Sequence, residues 1–302
     1  MAQAVRGRAR CARRPKKWAA KNTKDRSKCG QSTNLGTRRL GVRVIAKELN
    51  MNRETVWQIV KEDLGMRKIS AKMVPQILTH YQKQRWFHIS SDLLRNAETF
   101  DRVITGDETW CFQYNSETKW QSMQWKTQNS PQPKEVRTSR SHVKTRLVCF
   151  FDHKGIVHYE FIAQGQAVNQ QCYLEVMTRL RESVWRKRPG LWPDKWILHH
   201  DNAPAHDALR FREFLAKNSI TKMDHPPYSP DLAPCDFWLF PKLKNSLKGQ
   251  RFADLSEIQR DVKTLLRGIP ENDFQDCFRQ LHHRLTKCVA SQGEYFKGDS
   301  SR

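Results

Sequence analysis

Three aspartates stand in settings that suit metal chemistry: Asp107 in Thr-Gly-Asp-Glu-Thr-Trp, Asp201 in His-His-Asp-Asn-Ala-Pro-Ala-His, and Asp236 as the second aspartate of Ser-Pro-Asp-Leu-Ala-Pro-Cys-Asp-Phe. A strongly basic chain has little reason to gather carboxylates unless they hold divalent cations. Carboxylate-clamped metal pairs are common machinery for cutting and joining phosphodiesters. Taken singly, each aspartate also reads as an ordinary cap or strand-end residue. Asp201, however, follows the apolar run Trp196-Ile197-Leu198 and precedes Asn202-Ala203-Pro204, which stops a strand and leaves the carboxylate at a sheet's rim. Asp236 falls after Pro234 in the first turn of an expected helix. Asp231, between Pro230 and Pro234, reads better as a turn residue.

Elements able to position these groups are legible around them. Short β-type runs occur at 102–105, 111–114, 146–151, 156–162 and 195–199, and Asp152-His153-Lys154-Gly155 is a natural hairpin turn. Helical periodicity marks 170–187, 208–217, 235–247 and 256–266. Strands first, then helices mixed with strands, predicts an α/β domain on a mixed sheet, with Asp107 just past the first strand and Asp201 at the C-terminal end of another. Upstream, 66–98 reads as a linker broken by Pro75 and then a helix, anchored by Tyr81, Phe87, Ile89, Leu93 and Leu94.

Further upstream, Val42, Ile45, Ala46 and Leu49 form one apolar stripe and Val56, Ile59 and Val60 another, interrupted at Asn50-Met51-Asn52. Asn50 tolerates the left-handed backbone of a tight turn and Asn52 is a good N-cap, so the pattern predicts a helix-turn-helix. Its second helix offers Arg53, Glu54, Gln58 and Lys61 to a DNA major groove. An ordinary helical hairpin shows similar stripes. The leading helix that completes such a module finds no stripe in 32–39.

Charge points to the same class of partner. The 302 residues carry +23, of which +17 falls in residues 1–90, where 22 Lys/Arg face five acids. Nucleic acid is the commonest counterpart of such a surplus, although a solvated basic face is the plain alternative. Residues 1–31, with 11 Lys/Arg and one acid, read as a disordered basic tail. No run of 18 apolar residues predicts a membrane span, and no apolar stretch follows the basic N-terminus as in a secretory signal. Eight scattered cysteines without Cys-x-x-Cys pairs read as reduced thiols of the cytosol or nucleus.

The three aspartate motifs together resemble those of mariner transposases, members of the aspartate-triad transposases with a ribonuclease H-like fold, over residues 38–302. The 34 residues between Asp201 and Asp236 match the mariner spacing. The resemblance implies an α/β ribonuclease H-like catalytic domain over 99–302, preceded by a basic tail (1–31), a partial helix-turn-helix module (32–70) and a linker with a helix (71–98). It implies Asp107, Asp201 and Asp236 as catalytic metal ligands for Mg²⁺, with Mn²⁺ as substitute, and Arg53, Gln58 and Lys61 as DNA contacts. The implied reaction is nicking of double-stranded DNA at transposon inverted repeats and joining of the freed 3′ end to a TA target. A nuclear location and a homodimer are compatible with this, and no membrane is involved. His199, His200 and His206 crowd the second carboxylate, with structural and functional readings both open.

Two departures stand out. Family members carry two helix-turn-helix modules, whereas only the second is visible here, and the family's Trp-Val-Pro-His-Glu-Leu linker reads Met73-Val74-Pro75-Gln76-Ile77-Leu78. Trp57, Trp86, Trp120 and Trp185 also sit in polar stretches where the resemblance suggests arginine, which reads as codon decay in a genomic copy. A DNA-binding protein without catalysis, derived from a transposase, is the alternative function; another ribonuclease H-like nuclease is a third.

Overall fold

The computed structural model describes residues 40–68, 73–118, 121–123, 127, 139–163, 165–166, 168–192 and 196–296. The basic stretch 1–31, all of 32–39 and Trp120 lie outside the described residues. The chain divides into two compact units at Lys72/Met73.

In the smaller unit, α1 (Val42–Glu48) and α2 (Arg53–Gln58) flank a turn, and α2 runs on as a π-helical turn through Ile59–Asp63. Asn50 takes φ 48°, and the Asn52 side chain accepts the Glu54 N–H at 2.8 Å, as the sequence predicts. Ile45, Ala46, Val56 and Ile59 form a small core.

The larger unit begins with α3 (His80–Arg95), opened by a capping box in which Thr79 and Gln82 exchange side-chain and backbone bonds. A five-stranded sheet follows: β1 (Val103–Phe112), β2 (Lys144–Asp152), β3 (Gly155–Ile162), then α4 (Gln170–Lys187), β4 (Ile197–His199), α5 (Leu209–Lys217) and β5 (Thr221–Lys222). Spatial order is β3-β2-β1-β4-β5, antiparallel among the first three and parallel from β1 to β4 to β5. After a π-helical turn at Cys235–Leu239 come α6 (Phe240–Leu247), α7 (Leu255–Arg267) and α8 (Glu271–Ala290).

Alternation along the strands builds two cores. Leu147, Cys149 and Phe151 of β2 face one that also takes in side chains of α3, α6, α7 and α8, while Val148 and Phe150 face another shared with α4 and α5. The hairpin after β2 forms as expected: Asp152 Oδ1 accepts the Lys154 and Gly155 N–H groups at 2.9 and 3.0 Å, and Gly155 takes φ 134°.

Three features depart from the expectation. The runs at 102–105 and 111–114 are parts of one strand, so Asp107 sits within β1 rather than past a strand end. Gly106 makes this continuity possible, because a Cβ there would meet the buried Phe150 ring at 2.0 Å. The last helix, α8, had no counterpart in the expected elements, yet Phe274, Cys277, Phe278, Leu281, Leu285 and Cys288 form its buried stripe. Finally, Trp86 is no misplaced residue. It is wholly buried, its Nε1–H donates to the Pro227 carbonyl at 2.7 Å, and its ring meets Tyr295 edge-on at 5.0 Å. Trp57 and Trp185 are exposed, and Lys61 lies 4.6 Å over the Trp57 ring.

Trp86 therefore welds α3 to the loop at Pro227 and to the tail after α8. Trp86→Ala is expected to destabilise the larger unit by about 3–5 kcal/mol, through lost packing and an orphaned carbonyl. Urea unfolding checks this; a change below about 1 kcal/mol would reduce Trp86 to a peripheral residue.

Candidate active site

Parallel pairing brings the first two aspartates together. Thr105 of β1 pairs with His199, the last residue of β4; Asp107 follows two residues later within β1, and Asp201 two residues later in the loop just past the end of β4. The third arrives from a different element. Pro230–Leu232 makes a short 3₁₀ turn, and the π-helical turn at Cys235–Leu239, entered through Pro234, carries Asp236. Cys235 and Leu239 bury themselves in the core, which leaves Asp236 on the open side. Such wide turns recur at functional sites because they re-aim one side chain out of the regular helical face.

Electrostatics shows that the three carboxylates sense one another. Burial pushes the Asp107 carboxyl well above the usual range, and repulsion from Asp236, Glu108 and Asp201 adds to it; the Glu108 N–H, donating to Oδ1 at 2.6 Å, works the other way. Asp236 is raised to about 6 by burial and by Asp201, with Lys244 opposing. Asp201 is the exception. Burial raises it too, but hydrogen bonding to His206 prevails and holds it at about 2.

His206 explains the asymmetry. Its Nδ1 lies 2.7 Å from Asp201 Oδ1 and its Nε2 3.6 Å from Glu108 Oε1, an oxygen otherwise buried without a hydrogen-bond partner. Burial alone would discharge the ring, but the two carboxylates outweigh it and raise it to about 9. A folded value above the ordinary 6.5 contributes stability that is complete below about pH 6.5 and lost as pH rises through about 9. Because Asp201 is half open to solvent, the expected size is about 1–2 kcal/mol. Denaturation from pH 6 to 10 in EDTA is expected to show this loss in the wild-type chain and not in His206→Gln; parallel curves would refute the pairing.

Asp201 and Asp236 open on a cleft of about 610 Å³ whose walls include Tyr81, Arg85, Asn202, His225 and Tyr228. Asp107 is the most deeply set of the three. His199 and His225 beside them are buried and neutral, burial holding them down to about 3 and about 4. Among the described residues, no three carboxylate, thiol or imidazole groups are gathered tightly enough to enclose an ion unaided. The donor set nonetheless fits a hard divalent cation: three carboxylates, two of them held above their ordinary range by burial and mutual repulsion that a cation would relieve.

Sequence reasoning listed the three aspartates, which the fold brings to one place, and missed Glu108. Its place after Asp107 in Thr-Gly-Asp-Glu was the available signal. Arg53, Gln58 and Lys61 lie on α2 and its extension in the smaller unit, Arg53 and Lys61 exposed and Gln58 half-buried.

Comparisons with known proteins bear on this site. A family model described as Transposase (partial DDE domain) matches residues 115–193, a stretch that contains none of the three aspartates. The human histone-lysine N-methyltransferase SETMAR is 32% identical over 259 residues, which is 84% of this chain; the chain spans only 37% of that protein. The mariner Mos1 transposase of Drosophila mauritiana is 28% identical over 258 residues, 84% of this chain and 74% of that protein. Crystal structures of the Mos1 paired end complex, one with Mg and one with Mn, superpose with a TM-score of 0.77 at 26% identity, covering 96% of this chain and 83% of theirs. No helix among the described residues is long and apolar enough to cross a membrane.

Proposed function

Because the chain belongs to the mariner transposase family, we propose that it nicks double-stranded DNA at transposon inverted repeats and joins the freed 3′ end to a TA target. Asp107, Asp201 and Asp236 are the catalytic carboxylates and the ligands of a divalent cation, Mg²⁺ with Mn²⁺ as substitute. The observation that carries this reading is the mutual repulsion of three carboxylates delivered by β1, the end of β4 and a π-helical turn. The methyltransferase activity in the human relative's name belongs to that longer protein. A nuclear location and assembly as a homodimer on DNA belong to this proposal.

Each residue has a separable task. His206 and the Ala203 N–H, at 2.7 and 3.1 Å, both engage Asp201 Oδ1, which fixes the carboxylate and leaves its second oxygen for a ligand. Asp107, immobilised within the sheet, and Asp236, at the cleft, complete the set. The bound cation supplies Lewis acidity toward the attacking hydroxyl and the leaving oxygen. Arg85 on the cleft wall offers a positive charge to a phosphodiester. In the smaller unit, Arg53, Gln58 and Lys61 contact a DNA groove.

The test is a cleavage assay on duplexes bearing matched and scrambled ends, with Mg²⁺ or EDTA. Nicking is expected with Mg²⁺ alone and not in Asp201→Ala; equal activity in EDTA, or in that variant, would overturn the reading. Catalysis-free DNA binding is the second reading, favoured by the surplus of +17 carried by residues 1–90. It expects tight binding and no Mg²⁺-dependent nicking.

A further inference from the structure

We propose that Thr105, His199, His225 and Ser229 are positioning residues, a one-way relay of hydrogen bonds that sets the spacing of the carboxylate-bearing segments and thereby the affinity for the cation. The proposal rests on the reading of the cleft as a divalent-metal site.

The direction of the relay follows from its far end. The Ser229 hydroxyl donates to the Pro226 carbonyl, so its oxygen accepts from His225 Nε2 at 2.9 Å. His225 Nδ1 is then bare and accepts from His199 Nε2 at 3.1 Å. His199 Nδ1 is bare in turn and accepts the Thr105 hydroxyl at 3.0 Å. Both rings are therefore neutral Nε2–H tautomers: reversing either ring alone would set two donors or two bare nitrogens face to face, and reversing both would take the Ser229 proton from the Pro226 carbonyl. The four residues are 2–6% exposed, so little water can reach them to replace a missing link.

Where the relay runs gives it a purpose beyond satisfying buried polar atoms. Thr105 precedes Asp107 by two residues on β1, His199 precedes Asp201 by two at the end of β4, and His225 and Ser229 form part of the cleft wall. The Asn202 side chain, next to Asp201, closes the circuit by donating to the His225 carbonyl at 2.8 Å. A fully satisfied network of this kind is stiff, and its Thr105–His199 and His199–His225 links bridge segments distant in sequence.

The relay makes two measurable demands of the full-length chain. Imidazole ¹⁵N shifts at neutral pH are expected to report the Nε2–H tautomer for both His199 and His225; an Nδ1–H tautomer or an imidazolium at either would overturn the assignment. Thr105→Val keeps shape and removes the first donor. It is expected to weaken Mn²⁺ binding, followed by the paramagnetic resonance of free Mn²⁺, by about tenfold or more. Duplex affinity in EDTA should not change, and Thr105→Ser should restore Mn²⁺ affinity. Wild-type Mn²⁺ affinity in Thr105→Val would overturn the proposal. If that variant does not fold, Ser229→Ala cuts the relay from its other end and is read in the same way. A wild-type chain that binds no Mn²⁺, with tautomers as assigned, would instead refute the metal-site reading and the relay's role with it.

Discussion

Asp236→Asn is expected to produce a chain that is more stable than the wild type and catalytically dead. Amide replaces carboxylate with almost no change of shape, so the π-helical turn that presents the side chain is retained. The wild-type carboxyl, held near pH 6 by burial and by Asp201, is ionised at pH 7 against a folded-state preference for its neutral form. An acid whose value rises on folding weakens the fold above its unfolded value, and removing the charge relieves this. Since Asp236 is open to the cleft, solvent screening trims the gain to about 1 kcal/mol. Loss of one metal ligand should reduce Mg²⁺-dependent nicking by at least about a thousandfold, roughly 4 kcal/mol of transition-state stabilisation. Thermal unfolding in EDTA and a single-turnover nicking assay check the two halves. A fall in stability would contradict the electrostatic picture, and retained nicking would remove Asp236 from the catalytic set.

Gly106→Ala is expected to have the largest effect on folding of any single methyl group added to the sheet. The new carbon would lie 2.0 to 2.9 Å from three ring atoms of Phe150, which is itself fully buried between β2 and the helices α4 and α5. Phe150 pairs directly across from Gly106 in the β1–β2 ladder, so neither backbone can yield without breaking the register that holds Asp107 opposite Cys149. Overpacking of this kind costs about 3 kcal/mol or more. The double variant Gly106→Ala with Phe150→Leu should recover part of the loss, because the contact is specific. Urea unfolding of the three variants measures it; an unperturbed Gly106→Ala chain would mean that the ring is free to turn away.

The strength of particular signals decided how much of this was legible. The helix at Gln170–Lys187 was readable to the residue, because its apolar stripe is long. The hairpin at Asp152 to Gly155 was readable from turn chemistry alone. The continuity of β1 was not, because Gly106 looks like a strand breaker until Phe150, more than forty residues away, is placed opposite it. The same limit applies to Trp86: a tryptophan among Gln, Lys and Arg looks exposed until α8 and the Pro227 carbonyl arrive from the far end of the chain. The aspartates were found by motif. Glu108 and the histidine relay were hidden, since what distinguishes them is who faces whom across the sheet.

The unequal anchoring of the first and third aspartates has a further consequence. Asp107 belongs to a strand with neighbours on both sides, whereas Asp236 is exposed on a single π-helical turn that has no strand neighbour. Amide exchange should accordingly be slowest along the central strand and fast at the turn, so thermal fluctuation opens and closes the coordination sphere from one side only. One ligand serves as a fixed reference, and the other supplies the adjustment by which a single pocket can accommodate successive phosphodiester geometries.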